Sequence, residues 1–389
     1  MRHSPPKAAV WAMTLSLSDM DKTKEKKPDR ILYMSRLKAL ACLSIIIFHG
    51  SYMATAFAVK QGADGQRVQD TELMTVLMSV RNLFMWAVPV FVMVTGALLL
   101  DERRSLPLKK LFGKYLLRVV TALFAVGELF TLYDHLVYFK DFTPRHLLDG
   151  LTTALFDRFT ATGNSWSHTW YLYLMIAIYL SLPLLRPIAK AGRKEVLYAV
   201  ALCFAFGAVG STADFFFGMQ NPVYYIFIDG IYPMYLFAGY AIHSGKLKIP
   251  RAAAVITAAI SAGVVLWATY YRFHTANEAL ASQLKNSVEK YSFPFVALAA
   301  LSIFALFKSF DSGREIPVLD KILGEIDKCS FGIYLIHMLV YKHIFAVMRT
   351  DPFAGGGFLT LILIMLVTFV ISYAVTRLLK FIPFVKNIV

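Results

Sequence analysis

Residues 37–58 read LKALACLSIIIFHGSYMATAFA, twenty-two positions in which Lys38 is the one permanent charge. An α-helix crosses ~30 Å of hydrocarbon with about 20 mostly apolar residues, so this stretch reads as a membrane span. Further runs of the same kind lie near 83–100, 116–138, 168–187, 196–213, 223–242, 251–271, 291–310, 328–348 and 357–380. The composition agrees: of 389 residues 57% are hydrophobic and 17% charged, with mean hydropathy +0.56. A soluble domain carries about 25% charged residues. A water-soluble fold of this length could not hide so much apolar surface, and disorder, collagen repeats and a disulfide scaffold are excluded by the same figures. The expected fold is an all-α polytopic integral membrane protein of about ten transmembrane helices. No fixed-period repeat is visible, and the two halves do not match as inverted copies.

Forty basic residues against 25 acidic ones give a net charge of +15. They cluster in short loops between apolar runs, which points to cytoplasmic loops and membrane lipid rather than nucleic acid. With the N-terminus inside, the cytoplasmic loops and flanks hold 29 of the 40 Lys and Arg, so both termini are expected in the cytoplasm. Residues 1–35 read as a basic, disordered cytoplasmic tail, 36–380 as a ten-helix domain, and 381–389 as a short cytoplasmic tail. The apolar patch from Ala8 to Leu17 is too short to span. A basic cluster (Lys22, Lys24, Lys26, Lys27, Arg30) follows it without a small-residue cleavage site, which disfavours a signal peptide. A start upstream of the true one, at Met20 or Met34, is the other account of this tail. Cys42, Cys203 and Cys329 lack metal-ligand spacing and read as small core residues, with no metal site expected.

Ionisable groups at membrane depth cost several kcal/mol unless paired or hydrated, so each is a functional candidate. Lys38 and His49 are eleven residues apart, about three turns and ~16 Å of rise. At about 100° per residue they fall within roughly 20° of one face, whereas Arg36 points nearly the opposite way. One face thus carries a cation at the cytoplasmic mouth and an imidazole near mid-membrane. Such a pair can anchor a phosphate-bearing donor while His49 takes a proton from an attacking hydroxyl. It can equally be a histidine bonded to a neighbouring helix beneath a snorkelling lysine. Glu128 sits mid-way along the third run and is the candidate to orient or charge-balance His49, with Asp134 and His135 nearer the outer end. Arg118 follows a basic loop (Arg103, Arg104, Lys109, Lys110, Lys114) that would attract acidic lipid or a nucleotide phosphate. Asp229 and His243 belong to the sixth run. Tyr334 and His337 share a face of the ninth, where His337 is either functional or a packed core histidine. The outer loop 139–167 ends in Asn164-Ser-Trp-Ser-His168-Thr-Trp170-Tyr171, an interfacial aromatic belt or a sugar platform. No Walker sequence, Gly-rich dinucleotide turn, zinc motif or Gly-x-Ser-x-Gly elbow occurs.

Four segments together resemble one family, the membrane-bound acyltransferase-3 proteins that O-acylate glycans and other extracytoplasmic molecules. The first run has a basic residue, ten intervening residues and a histidine, as Lys38 and His49 stand here. The second, Val88-Pro-Val-Phe-Val-Met-Val-Thr95-Gly-Ala-Leu-Leu99, has Thr95 where relatives usually carry Ser. The fourth opens with His168-Thr-Trp170-Tyr171, similar to the family's His-x-Trp-Tyr run. The ninth, Ser330-Phe-Gly-Ile-Tyr334-Leu-Ile-His337, is similar to its Ser-x-x-Ile-Tyr-Leu-x-His signature. All four occur in the family's order over residues 36–337.

The resemblance implies ten helices, with acyl-CoA (acetyl-CoA above all) as a cytoplasmic co-substrate and no bound cofactor. The acceptor would be a hydroxyl on a cell-surface glycan or its lipid-linked precursor, reached from the far side of a bacterial inner membrane. It implies that His49 is catalytic, as general base or covalent carrier, and that Lys38 takes the role of the family's arginine. Arg36, Arg118, Lys114, His168, Trp170, Tyr334 and His337 complete the expected substrate-binding set. Where relatives carry Arg-x-x-Arg, this chain reads Tyr115-Leu-Leu-Arg118, so only the second arginine carries over, with Lys114 as a substitute. The chain ends nine residues after Lys380, which resembles the stand-alone enterobacterial common antigen O-acetyltransferase group. One rival is a transporter or flippase of a lipid-linked sugar, which would be expected to show matched discontinuous helices. Another is a polytopic glycosyltransferase using outer-loop carboxylates such as Asp64, Asp70 and Glu72, which leaves His49 unexplained. The sequence is silent on oligomeric state.

Overall fold

A computed structural model of the chain describes residues 31–61, 67–101, 103–160, 166–217, 230–311 and 314–389. The tail over 1–30, Asp64, Asn164 and Asp229 lie outside the described residues. In chain order the helices are α1 (Leu32–Ala58), α2 (Thr71–Leu99), α3 (Leu108–Tyr138), α4 (Pro144–Thr160), α5 (Ser167–Ala191) and α6 (Arg193–Phe217). They continue with α7 (Ile231–His243), α8 (Arg251–His274), α9 (Glu278–Val288), α10 (Pro294–Ser309), α11 (Pro317–Val347) and α12 (Leu359–Leu379). Eight of these (α1, α2, α3, α5, α6, α8, α11 and α12) are long and apolar enough to cross a membrane. The two remaining apolar runs hold shorter helices, α7 with 13 residues and α10 with 16. The chain is a polytopic, all-α membrane protein. Its described strands are one small antiparallel pair, β1 (Val59–Gln61) and β2 (Arg67–Gln69), with Val59 opposite Gln69.

Local chemistry sets the helix ends. Asp70 caps α2 by accepting the Leu73 N–H at 3.0 Å, and Asn277 caps α9 by accepting the Leu280 N–H at 3.0 Å. Pro294 and Pro317 open α10 and α11, where a missing N–H costs nothing. Helices α4 and α9 lie outside the apolar runs. Their sequences lack a continuous apolar stretch, and α4 has no buried residue.

The faces are inverted relative to a soluble bundle. On α12, Leu359, Ile362, Leu366 and Val370 are exposed, while Thr368, Ser372 and Thr376 are fully buried. Lipid is as apolar as leucine, so helix contacts are made by small residues and hydroxyls instead. Gly96 of α2 lies against the Leu236 carbonyl of α7, and Gly239 of α7 lies against the Met93 carbonyl of α2; a Cβ at either would collide with backbone. Gly50 gives α1 the same close approach to Tyr341 of α11 and Met365 of α12. Apolar residues of α1, α11 and α12 then close one core around Cys42, Ile46, Cys329, Ile333 and Ile364.

Candidate active site

Helices α1 and α11 run side by side in the same direction. Lys38 pairs with Asp327 at 2.6 Å near one end, and the rings of His49 and His337 meet at 3.1 Å about three turns further on. One turn past His337 the Tyr341 hydroxyl donates to the Ile46 carbonyl at 2.8 Å, a third tie that locks the register. Beside this seam lies a cavity of about 360 Å³ with a mainly apolar and aromatic lining. His49, His168, Trp170, Tyr334 and His337 all line it, so the structure brings together five predicted site residues from α1, α5 and α11.

The three histidines are not equivalent. His337 is fully buried and His168 is 3% exposed, while His49 is half-buried because its ring faces the cavity. The Ile333 carbonyl, 3.1 Å from His337 Nδ1, can only accept. It therefore assigns the His337 proton to Nδ1 and leaves a lone pair on Nε2. That lone pair faces His49 Nδ1, which is also 3.2 Å from the Ile45 carbonyl. Two acceptors on one nitrogen assign the His49 proton to Nδ1, so its Nε2 carries the free lone pair. A base of this form takes a proton on Nε2 while its other N–H is held by a neighbour, the arrangement that orients catalytic imidazoles generally.

His168 sits on the turn that opens α5. Its backbone carbonyl accepts from the Tyr334 hydroxyl at 2.7 Å, which ties α5 to α11. The ring faces the Leu335 carbonyl and is walled by Phe130 and Trp166, and neither nitrogen makes a hydrogen bond of ordinary geometry among the described residues. Trp166, two residues earlier, donates to Asp134 at 3.0 Å, and Asp134 also pairs with Lys342. This buried α3–α11 pair thereby fixes the turn that presents His168. Two residues after His168, Trp170 stacks on Tyr291, with ring centroids 5.3 Å apart and planes 28° apart.

The cationic candidates behave differently from expectation. Lys38 is held by Asp327, which also accepts from Ser35 at 2.6 Å, and Arg36 is held by Asp320 at 2.6 Å. Neither lines the cavity. Arg118 lies 4.7 Å over the ring of Phe331, a lining residue one turn beyond Asp327, and donates to the Ile388 carbonyl at 3.1 Å. It thus approaches the same end as Lys38, whereas Lys114 is exposed.

Glu128 requires correction. It does not line the His49 cavity. Its carboxylate is bonded to Arg158 of α4, which also donates to the Gly127 carbonyl and, at 2.9 Å, to the Thr131 hydroxyl. Helix α4 folds back on α3 and supplies the countercharge, a partner that the apolar pattern does not reveal. His243 is likewise taken up by the Tyr33 hydroxyl at 2.6 Å, Asp70 caps α2, and Glu72 meets His274 at 3.1 Å.

Sequence reasoning missed Arg81. This guanidinium lines the cavity, 4.9 Å from the ring centre of Phe48 and 5.5 Å from that of Tyr52. The signal was available, since Arg81 is a permanent charge just before an apolar run. Among the described residues no three metal-ligating side chains converge as a metal site. A family model of the acyltransferase-3 type, described as an acyltransferase domain, matches residues 31–377. No curated protein and no solved structure matches the chain.

Proposed function

This chain belongs to the acyltransferase-3 family, and we propose that it is an O-acyltransferase moving acetyl from cytoplasmic acetyl-CoA to a hydroxyl of a cell-surface glycan or its lipid-linked precursor. The observation that carries this reading is His49: of the three clustered imidazoles that line the cavity it is the least buried, with its Nδ1 already engaged and its Nε2 free to accept a proton. With both termini cytoplasmic in a bacterial inner membrane, the Lys38 and Arg118 end faces the donor, and the Tyr52 end faces the acceptor.

In this mechanism His49 Nε2 takes the proton of the acceptor hydroxyl as its oxygen attacks the thioester carbonyl. The C–S bond breaks, and the departing CoA thiolate recovers the proton from the imidazolium. His337 Nε2 and the Ile45 carbonyl hold the Nδ1–H throughout, which orients the ring and keeps the Nε2 lone pair available. General-base assistance of this kind contributes roughly 10²–10⁴-fold. Asp327 already neutralises Lys38, so Arg118 is the stronger candidate for the CoA phosphates. Trp170, Tyr171 and Tyr291 offer aromatic faces to a sugar.

The test uses membrane vesicles with acetyl-labelled acetyl-CoA and compares wild type with His49→Ala at equal insertion. Alkali-labile label in the glycan fraction of wild type alone is the expected result. Label that survives the substitution removes His49 from the chemistry, and no label from either protein overturns acetyl transfer.

A further inference from the structure

Among the described residues Arg81 is the one permanently charged side chain that lines the cavity, and no carboxylate lines it. Its side chain is 13% exposed, at a depth where an uncompensated cation is costly. Its carboxylate partner, Glu289, pairs with Arg81 Nη1 at the ion-pair distance of 3.6 Å through one oxygen and is bonded to Arg272 through the other. Two guanidinium groups thus share one carboxylate, which leaves this end of the cavity with one unbalanced positive charge. Arg81 Nε is buried with no partner among the described residues.

The arginine is held in place. Its Nη1 donates to Asn82 Oδ1 at 2.7 Å, Asn82 Nδ2 donates to Thr269 at 3.0 Å, and Thr269 donates to the Val265 carbonyl at 2.7 Å. The Phe48 ring beneath the guanidinium meets the His49 ring edge-on, with centroids 4.8 Å apart. The fixed cation therefore lies one side chain from the catalytic imidazole. Resting on Phe48 and Tyr52, which flank His49 along α1, it stands at the depth of the imidazole and well removed from Lys38, eleven residues before His49.

We propose that Arg81 recognises an oxyanion on the acceptor, a carboxylate or phosphate close to the hydroxyl that is acylated. The inference deepens the acyl-transfer reading above and rests on it for the identity of the acceptor end. A guanidinium fork matches either anion with paired N–H donors, and the unused Nε–H supplies one of them. The binding cost of burying the cation is then recovered when the anion arrives, so neutral acceptors are discriminated against.

Purified full-length protein in detergent is titrated with methyl β-glucuronide, glucose 1-phosphate and methyl β-glucoside, with binding read from the shift of the thermal midpoint. Wild type is expected to bind at least one anionic probe about tenfold more tightly than the neutral glucoside. Preference for the glucuronide identifies an acidic sugar, and preference for glucose 1-phosphate identifies the phosphate of a lipid-linked one. Arg81→Gln should abolish the preference and Arg81→Lys recover part of it, while acetyl-CoA stabilises all three proteins alike. Equal binding of all probes, a preference that survives Arg81→Gln, or loss of acetyl-CoA binding instead would each overturn the proposal. If no soluble sugar binds, the same contrast is read in vesicles. There Arg81→Gln must raise KM for the native acceptor at least tenfold with KM for acetyl-CoA unchanged, and an unchanged acceptor KM refutes it. The detergent titration needs no turnover, so failure of acyl transfer and failure of anion recognition are separate results.

Discussion

The histidine cavity and the α3–α4 hairpin both place polar groups at membrane depth, and they treat charge in opposite ways. In the hairpin Arg158 is held by Glu128, Gly127 and Thr131, and next to it Asp134 is held by Trp166 and Lys342. The cavity is lined by an imidazole with a free nitrogen, a His168 ring without a hydrogen bond of ordinary geometry and an Arg81 that shares its carboxylate with Arg272, and no carboxylate lines it. Groups that fasten helices together find their partners within the fold. Groups kept for a ligand retain an unused donor or lone pair, at a cost in stability that the packed seam around Gly50 and Tyr341 must offset.

The largest effect expected from this contrast is at His49. His49→Ala should lower acetyl transfer by roughly 10²–10⁴-fold with little change in the thermal midpoint, because the ring lines a cavity rather than filling the core. A variant that loses stability as steeply as activity would place His49 with the fastening groups. His337 comes next. Replacing it with Phe removes the lone pair that holds the His49 N–H while keeping an aromatic of similar volume. A hydrogen bond to a charged group is worth about 1.5–3 kcal/mol, so kcat should fall roughly ten- to hundredfold with KM for acetyl-CoA near its wild-type value. An unchanged kcat would mean that His49 is oriented by the Ile45 carbonyl alone.

What was legible in the sequence follows the same division. Eight spans could be read because hydrocarbon imposes length and apolarity on each helix separately, while the other two apolar runs contain the shorter helices α7 and α10. His49, His168, Trp170, Tyr334 and His337 could be found because they carry polar chemistry inside or at the edge of those runs. The partners could not. That Lys38 meets Asp327, or that Glu128 meets Arg158, depends on which helices are neighbours, and no periodicity within a run encodes that. Helix α4 was read only as an outer loop, since an amphipathic helix with no buried residue has no apolar stretch to announce it. Arg81 was overlooked because it stands just outside the second apolar run, where a charge looks like an ordinary flank.

The sharpest discrimination comes from the smallest effect on activity, at Glu128. Glu128→Gln leaves Arg158 without a countercharge in a site where the arginine side chain is 11% exposed. Breaking a fully buried pair costs about 3–5 kcal/mol, and partial exposure of the glutamate side chain at 28% reduces this to roughly 1–3 kcal/mol. The thermal midpoint in detergent should therefore drop, while acetyl transfer by the folded fraction stays within about threefold of wild type. The double variant Glu128→Gln with Arg158→Leu removes the orphaned charge and should recover part of the lost stability, a coupling that a double-mutant cycle measures directly. A hundredfold loss of transfer with the midpoint unmoved would reverse the assignment. Glu128 would then act on the chemistry through a rearrangement of α4, and the hairpin would belong to the site rather than to the frame that holds it.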